Sequence, residues 1–130
     1  MTDLVIIVTG SRDWTDAATI GRVLTDSCPA LVVHGACPTG ADEMADAWCW
    51  TNGVECRRFA APWDALGKRA GTLRNGRMLR AYPTARVVAF PLGGPGTRGC
   101  MAQARSLAMD LYVYAPGGGL VAAYHAGELV

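Results

Sequence analysis

Three glycine-containing segments could bind an anion, since each follows an apolar run typical of a buried strand and precedes a helical pattern. They are residues 10–12, 35–42 and 91–97. The third is the most informative, because glycines let backbone amides approach a ligand closely and a helix N-terminus attracts phosphate. The pattern predicts a phosphate-binding loop in which Thr97 adds a hydroxyl donor to the amides of Gly93, Gly94 and Gly96.

A glycine after a strand also makes ordinary tight turns, and for one such loop alone a turn is the more frequent case. Three loops at the same sheet edge favour a ligand site. The sequence contains neither the G-x-x-x-x-G-K-S/T loop of P-loop nucleotidases nor the G-x-G-x-x-G fingerprint of dinucleotide-binding enzymes. An ordinary ATPase or NAD-dependent dehydrogenase is therefore disfavoured.

A basic segment supplies a second candidate for anion binding. Residues 57–80 carry a net charge of +6, residues 1–56 carry −6, and the whole chain carries +1. Arg74 stands beside Asn75, so a guanidinium could clamp phosphate while the amide reads a sugar or base edge. The same segment contains Lys68, and its other helical arginines could simply form a solvated face: Arg69, Arg77 and Arg80.

Several other side chains could belong to a site. Asp42 and Glu43 begin a predicted helix, where acidic side chains also complement the helix dipole. His34 ends an apolar run and is more typical of a hydrogen-bonded core histidine than of a catalytic base. Trp14 and Trp63 lie next to predicted binding loops and could stack on a nucleobase.

The cysteines indicate neither a disulfide framework nor a zinc motif, because their number is odd and no C-x-x-C pair occurs. They are Cys28, Cys37, Cys49, Cys56 and Cys100. Small buried thiols are the more frequent case, and no adjacent base marks Cys37 or Cys100 as a nucleophile. The sequence therefore predicts no metal site among them.

The elements that must position these residues alternate along the chain. Apolar runs predict five strands, at residues 4–8, 30–34, 54–59, 86–90 and 111–114. Helical patterns lie between them, after Asp16 and at about residues 41–51, 65–82 and 97–109. Such alternation predicts an α/β domain over residues 1–130, with a mostly parallel sheet of about five strands and helices on both faces.

Local signals place the helix ends. Asp16 and Asp64 are predicted N-caps, and Gly53 is predicted to end the second helix in a left-handed conformation. The expected buried side of the long third helix consists of Leu66, Ala70, Leu73 and Met78 or Leu79. Residues 120–124 could form an added strand or a packed helical turn.

Composition bounds the class of protein. With 51% hydrophobic and 18% charged residues, the chain is expected to form a soluble domain with a large core. No apolar run approaches the length of a membrane span, and no secretory signal is recognised at the N-terminus. A cytoplasmic protein without a membrane partner is therefore expected.

Short blocks in order between residues 5 and 114 carry a family resemblance. They are Gly10-Ser-Arg-Asp, His34 through Asp42, Ala61-Pro-Trp, Gly67-Lys-Arg-Ala-Gly, Arg74-Asn75 with Met78, and Gly93-Gly-Pro-Gly-Thr97. In this combination the chain resembles the YspA/cpYpsA-related family of the SLOG superfamily. The resemblance implies a Rossmann-like three-layer domain that binds a nucleotide-derived ligand. Relatives include the Lonely Guy phosphoribohydrolases and the Rossmann domain of the DNA-processing protein DprA.

The resemblance implies that phosphate binds at the 93–97 loop and Arg74, while the loops at 10–12 and 35–42 enclose ribose and base. The expected ligand-binding residues are Gly10, Ser11, Arg12, Gly35, Ala36, Asp42, Arg74, Asn75, Gly93, Gly94, Gly96 and Thr97. Asp42 is expected to contact a ribose hydroxyl or a divalent cation. No other cofactor and no catalytic residue is predicted.

Lonely Guy enzymes carry the pattern P-G-G-x-G-T-x-x-E, and here the final carboxylate position is Cys100. Its loss removes the group expected to stabilise an oxocarbenium-like transition state or to activate water. The leading hypothesis is therefore binding or sensing of a nucleotide-derived ligand. The second is a nucleoside 5′-monophosphate phosphoribohydrolase that uses Asp42 or Glu43 instead.

Two expectations concern partners. Single-stranded DNA binding, in the manner of DprA, is favoured by the arginine-rich helix and weakened by the acidic first segment. A homo-oligomer, most simply a dimer, is expected from the resemblance, and the apolar tail at residues 120–130 is a candidate contact.

Overall fold

The computed structural model describes residues 3–67 and 69–130. Its strands are β1 (Val5–Gly10), β2 (Leu31–His34), β3 (Glu55–Arg58), β4 (Arg86–Phe90), β5 (Asp110–Tyr114), β6 (Leu120–His125) and β7 (Glu128–Leu129). They form one sheet in the order β3-β2-β1-β4-β5-β6-β7. The first five pair in parallel, and β6 and β7 add antiparallel pairs. The predicted α/β class is confirmed, with two strands more than expected.

The helices lie on both faces of this sheet. They are α1 (Ala17–Ser27), α2 (Gly40–Asn52), α3 (Trp63–Leu66), α4 (Arg69–Ala81) and α5 (Pro95–Ser106). Alternate residues of β1 belong to two separate hydrophobic cores, one on each face of the sheet. Ile6 and Val8 pack with α1 and α2, whereas Ile7 packs with α4 and α5. A strand covered on both faces needs a continuous apolar run, which is why β1 shows no polar alternation.

The first two helices begin and end as their local sequence predicts. The Asp16 carboxylate accepts a hydrogen bond from the Thr19 amide at 3.1 Å and so caps α1. Gly53 ends α2 with a φ of 66°, a conformation that costs glycine little. The apolar stripe of α1 faces the core, with Ile20, Val23 and Leu24 buried.

The single helix predicted over residues 65–82 is wrong. The chain forms α3 and α4 instead, and Gly67 between them has a φ of 58°, which favours glycine. Pro62, not Asp64, occupies the N-cap position of α3. On α4, Ala70, Met78 and Leu79 are buried as predicted, whereas Leu73 is 43% exposed, contrary to the prediction. Lys68 lies outside the described residues.

The C-terminal segment is a strand, which resolves the alternatives left open for residues 120–124. β6 pairs with β5, with a register shift between Val113 and Tyr114. The preceding turn is tied to α1, because the Asp16 carboxylate accepts from the Gly117 amide at 2.8 Å and Arg22 donates to the Gly118 carbonyl.

No helix within residues 3–67 and 69–130 has both the length and the hydropathy that crossing a membrane requires.

Candidate functional site

A cleft of about 790 Å³ opens beyond the carboxyl ends of the central strands. The strand order reverses there, since the chain runs from β1 outward to β2 and β3, and then returns to β4 on the other side of β1. Diverging loops leave a crevice at such a point, where α/β sheets bind ligands. The volume falls in the range of small-molecule sites.

The cleft brings together eleven of the twelve residues that the sequence singles out. They are Gly10, Ser11, Arg12, Gly35, Ala36, Asp42, Arg74, Asn75, Gly94, Gly96 and Thr97. Gly93 is exposed and does not line the cleft; its φ of 90° instead shapes the turn after β4. The three loops and α4 thus meet around one space, and a binding role for their residues remains a prediction.

Two glycines allow the loops after β1 and β2 to touch. A Cβ at Gly40, whose φ is 75°, would collide with the Ser11 carbonyl, and a Cβ at Gly10 would collide with that of Ala41. The Ala41 amide donates to the Ser11 carbonyl at 3.1 Å, which joins the start of α2 to the first loop. Gly40 is needed for this contact, and no local sequence signal identifies it.

The start of α5 offers unpaired backbone amides to the cleft. Gly94 is the N-cap and supplies no capping side chain, and Pro95 follows at the first helical position. The amides of Gly96 and Thr97 are therefore among the helix-terminal donors that lack a partner within the helix. Both residues line the cleft. Such a terminus favours an anion, because its donors and dipole act together.

Arg74 reaches from α4 across the ends of β2 and β3. Its Nε donates to Asn75 Oδ1 at 2.8 Å, and its Nη1 donates to the carbonyls of Phe59 and Gly35, the former at 3.2 Å. A Cβ at Gly35 would lie 2.5 Å from Nη1, so only glycine allows this path. Within the described residues, Nε and Nη1 make these bonds, which leaves Nη2 for a ligand.

Asp42 is the most buried carboxylate of the cleft, with 7% of its surface exposed. It accepts a hydrogen bond from the Cys37 amide at 3.2 Å. Burial raises the pKa of Asp42, against the opposing influence of His34 and Arg74. Glu43, the other acidic residue considered, is exposed and does not line the cleft.

Cys100 lies fully buried near Asp42, Arg74 and Thr9. Burial raises the pKa of its thiol to about 11. A neutral, inaccessible thiol is neither a nucleophile nor a substitute for a carboxylate. The structure therefore supports the sequence-based reading that Cys100 is not a nucleophile.

His34 is a hydrogen-bonded core residue, as predicted. It is 2% exposed; its Nε2 lies 2.8 Å from Asp46 Oδ1, and its Nδ1 accepts from the Ala36 amide at 3.0 Å. Burial lowers the pKa of His34, but hydrogen bonds with Cys56 and Asp46 outweigh it and raise the pKa above its usual value. The Ala36 bond connects His34 to a loop of the cleft.

The two tryptophans near the loops have different environments. Trp14 is 1% exposed and packs against Phe90 at 5.3 Å between ring centroids, so the expected stacking on a base is wrong. The Trp14 side chain belongs to the hydrophobic core on the α1 and α2 side of the sheet. Trp63 is 52% exposed, lines the cleft and would contact a Cβ at Gly71. It keeps a ring available to a ligand.

The cysteines are not uniformly buried, although small buried thiols were expected. Cys49 and Cys100 are buried, Cys37 and Cys56 are half-buried, and Cys28 is exposed. Cys28 is exposed because it ends α1 in the left-handed region, with a φ of 49°. Sequence reasoning also missed that Cys56, His34 and Asp46 place metal-ligand atoms within 4.8 Å of one another.

Comparison with known proteins gives two findings. A family model described as the YspA, cpYpsA-related SLOG family matches residues 4–65. The Gene 61 protein of Mycobacterium phage D29 is 40% identical over 113 residues, which cover 77% of this chain and 87% of the relative. The family match includes the loops after β1 and β2, whereas Arg74 and the start of α5 lie beyond it.

Proposed function

Because the chain belongs to the YspA, cpYpsA-related SLOG family, we propose that it binds a nucleotide or nucleotide-derived ligand in the cleft. One observation carries the proposal: the uncapped N-terminus of α5 and the Arg74 guanidinium line the same cleft. Oriented amides together with an arginine fork are the standard means of holding a phosphate group.

The phosphate group would rest on the amides of Gly96 and Thr97 and on Nη2 of Arg74. Thr97 is 7% exposed and sits in the first turn of α5, from which its hydroxyl can add a donor. Exposed Arg12 also lines the cleft and adds a second positive charge. A ligand with two phosphate groups could therefore contact both arginines.

The ribose and base would lie towards the loop after β2. Asp42 is the acceptor suited to a ribose hydroxyl there, and it is also the group that would hold a divalent cation between protein and phosphate. Trp63 offers a partly exposed ring on which a base can stack. Titration with and without Mg²⁺ separates the two roles of Asp42, since only the second requires the ion.

A second candidate function is hydrolysis of the N-glycosidic bond of a nucleoside monophosphate. Its support is the position of Asp42, a buried carboxylate in the cleft with a raised pKa, as a general acid requires. Glu43 cannot serve because it is exposed outside the cleft. Release of free base from AMP, GMP, CMP and UMP by wild type, and its loss in Asp42→Asn, would establish this activity.

Native mass spectrometry of the purified protein tests the binding proposal, with small molecules identified after denaturation. We expect a nucleotide to be retained, either from the host or after addition of the four monophosphates, and to be lost in Arg74→Ala. Arg77→Ala is the matched control, because Arg77 is exposed on the same helix and does not line the cleft. A wild-type protein that retains no nucleotide at millimolar concentrations would contradict the proposal.

Binding of single-stranded DNA can be distinguished from binding of a mononucleotide by its dependence on salt concentration. The cleft is lined by Asp13 and Asp42 as well as by Arg12 and Arg74, so its charge is balanced. An oligonucleotide bound by the exposed arginines of α4 would be released steeply by salt. A mononucleotide held by directed hydrogen bonds should respond to salt far less.

A further inference from the structure

A cluster of metal-ligand atoms lies on the α2 side of β2 and β3. His34 Nε2, a carboxylate oxygen of Asp46 and Cys56 Sγ all lie within 4.8 Å of one another. We propose that these three side chains form a binding site for a thiophilic divalent cation of the zinc type. The proposal does not depend on what occupies the nucleotide cleft.

The fold brings the donors together from three elements. In the parallel pair of β2 and β3, Val32 faces Cys56 and His34 faces Arg58. Residues two apart on a strand share a face, so the side chains of His34 and Cys56 both project towards α2. On α2, Asp46 and Cys49 are three residues apart and therefore also share a face. No sequence motif reports this convergence, because the spacing reflects the packing of α2 on the sheet.

The hydrogen bonds already direct these groups to one point. Asp46 Oδ1 lies 2.8 Å from His34 Nε2 and 3.4 Å from Cys56 Sγ. The Cys49 thiol is a neighbour of this group and lines the same cavity as Asp46 and Cys56. Imidazole, thiolate and carboxylate are the ligand types of protein zinc sites. Modest side-chain shifts would replace the shared protons with one cation.

The cluster is accessible to an ion. A cavity of about 340 Å³ borders it and is lined by Asp46, Cys49 and Cys56 together with exposed Trp50. Two of the donors reach this cavity directly through half-buried side chains, whereas His34 and Cys49 are 2% exposed. A hydrated cation can therefore enter from the solvent and exchange water for protein ligands.

Arg58 is the competitor of the proposed cation. Its Nε and Nη2 donate to the two oxygens of Asp46 at 2.7 and 2.8 Å. The Arg58 side chain is 62% exposed and has room to turn into solvent, but its bidentate contact with Asp46 must break before a cation can use both oxygens. Removal of this guanidinium should therefore strengthen cation binding.

Cation binding would also change a hydrogen bond at the cleft, because His34 contacts the Ala36 amide. A metal ion on Nε2 leaves the ring proton on Nδ1, which can then no longer accept from the Ala36 amide. Ala36 lines the nucleotide cleft and has a φ of 60°, so its amide would need a new partner. The amide resonance of Ala36 is thus a specific reporter of ligation by His34.

Titration of the reduced 130-residue chain with Co²⁺ alone tests the proposal. We expect one equivalent to bind with a thiolate-to-cobalt charge-transfer band, to shift the Ala36 amide resonance, and to be displaced by Zn²⁺. Cys56→Ser should weaken binding by about 100-fold or more and remove most of the band, since even outer partners of metal ligands contribute 10- to 100-fold. Cys28→Ser, at an exposed cysteine just after α1, is the matched control and should behave as wild type.

Arg58→Ala keeps the test decisive even where a ligand variant fails to fold. It removes an exposed side chain and should raise Co²⁺ affinity several-fold. The proposal is overturned if wild type shows no charge-transfer band, if the band persists in Cys56→Ser, or if Arg58→Ala binds Co²⁺ no more tightly than wild type. In those cases the cluster is a hydrogen-bonded network that supports the core.

Discussion

At the scale of single residues, Arg74 combines structural contacts with the binding role proposed for it. Two of its nitrogens hold Asn75, Phe59 and Gly35, and the residue lines the cleft. The guanidinium is therefore fixed before any ligand arrives, which reduces the entropy lost on binding. A charged residue on a helix is usually only a solvated part of the protein surface. Arg77, on the same helix, is such a residue, whereas Arg74 makes these contacts and lines the cleft.

Replacement of Arg74 by alanine should weaken nucleotide binding by about 10- to 100-fold, since a hydrogen bond to a charged group contributes about 1.5 to 3 kcal/mol. Isothermal titration with AMP, or with the nucleotide that co-purifies, measures this loss. Because Arg74 also connects α4 to the ends of β2 and β3, the Arg74→Ala protein should have a lower Tm than wild type. The titrations should therefore be carried out well below that Tm. Unchanged affinity in a folded Arg74→Ala protein would exclude this placement of phosphate.

Asp42 should make stability depend on pH in an identifiable direction. Its raised pKa means that the folded protein holds the proton more tightly than the unfolded chain does, so the ionised carboxylate opposes folding. This destabilisation begins as the pH rises past the ordinary value of 3.8 and is complete above the folded pKa. Asp42→Asn should therefore raise Tm at pH 7 while it weakens ligand binding.

Thermal denaturation of wild type and Asp42→Asn from pH 3 to pH 8 measures this difference in Tm. The gain in Tm should disappear in the most acidic samples, where both proteins carry a neutral group at this position. Asp64→Asn serves as the control, because Asp64 is exposed and does not line the cleft. A lower Tm for Asp42→Asn at pH 7 would show that the carboxylate stabilises the fold.

At the scale of elements, the loops depend on glycine for different reasons at different positions. Gly40 and Gly53 both have positive φ, but a Cβ at Gly53 meets nothing within 4 Å, whereas a Cβ at Gly40 would strike the Ser11 and Arg12 backbone. Gly99 lies in α5 and does not have a positive φ, and a Cβ added there would meet no atom within 4 Å. These three positions separate conformational cost from steric cost.

Three alanine substitutions should therefore rank in a fixed order. Gly53→Ala should lower the free energy of unfolding by about 1 to 2 kcal/mol, the cost of a left-handed non-glycine residue. Gly40→Ala should lower it further, because the first loop must also move. Gly99→Ala should raise it by about 0.5 to 1 kcal/mol, since glycine is a poor helix residue. Urea denaturation measures all three, and equal effects of the first two would refute the close contact of the loops.

At the scale of the whole molecule, the two edges of the sheet differ in character. The β3 edge carries charged Glu55, Arg57 and Arg58, which discourage pairing with another strand. The other edge exposes apolar side chains, with Leu129 68% and Val130 84% accessible. An open apolar edge is a template for a second chain.

We expect the chain to form a dimer through the β6–β7 edge, as anticipated for the tail at residues 120–130. Sedimentation velocity over a range of concentrations should show a monomer–dimer equilibrium. Leu129→Asp should shift it to monomer, whereas Trp50→Ala, at an exposed residue near the β3 edge, should leave it unchanged. A wild-type protein that stays monomeric at every concentration would contradict this arrangement.

The sequence by itself determined the features that local physics controls. Continuous apolar runs predict buried parallel strands such as β1, Asp16 and Gly53 predict the ends of their helices, and the glycines after β4 predict a loop that backbone amides line. Each of these depends on neighbouring residues alone. The family blocks add that the loops belong together, and residues from each of these blocks line the cleft.

Only the tertiary structure decided which distant residues meet. Arg74 bonds to carbonyls 15 and 39 residues away, and His34, Asp46 and Cys56 converge through the register of β2 with β3 and the packing of α2. The split at Gly67 and the burial of Trp14 likewise depend on how elements pack against the sheet. Register and packing arise from the summed contacts of the whole chain, so no local pattern in the sequence could report them.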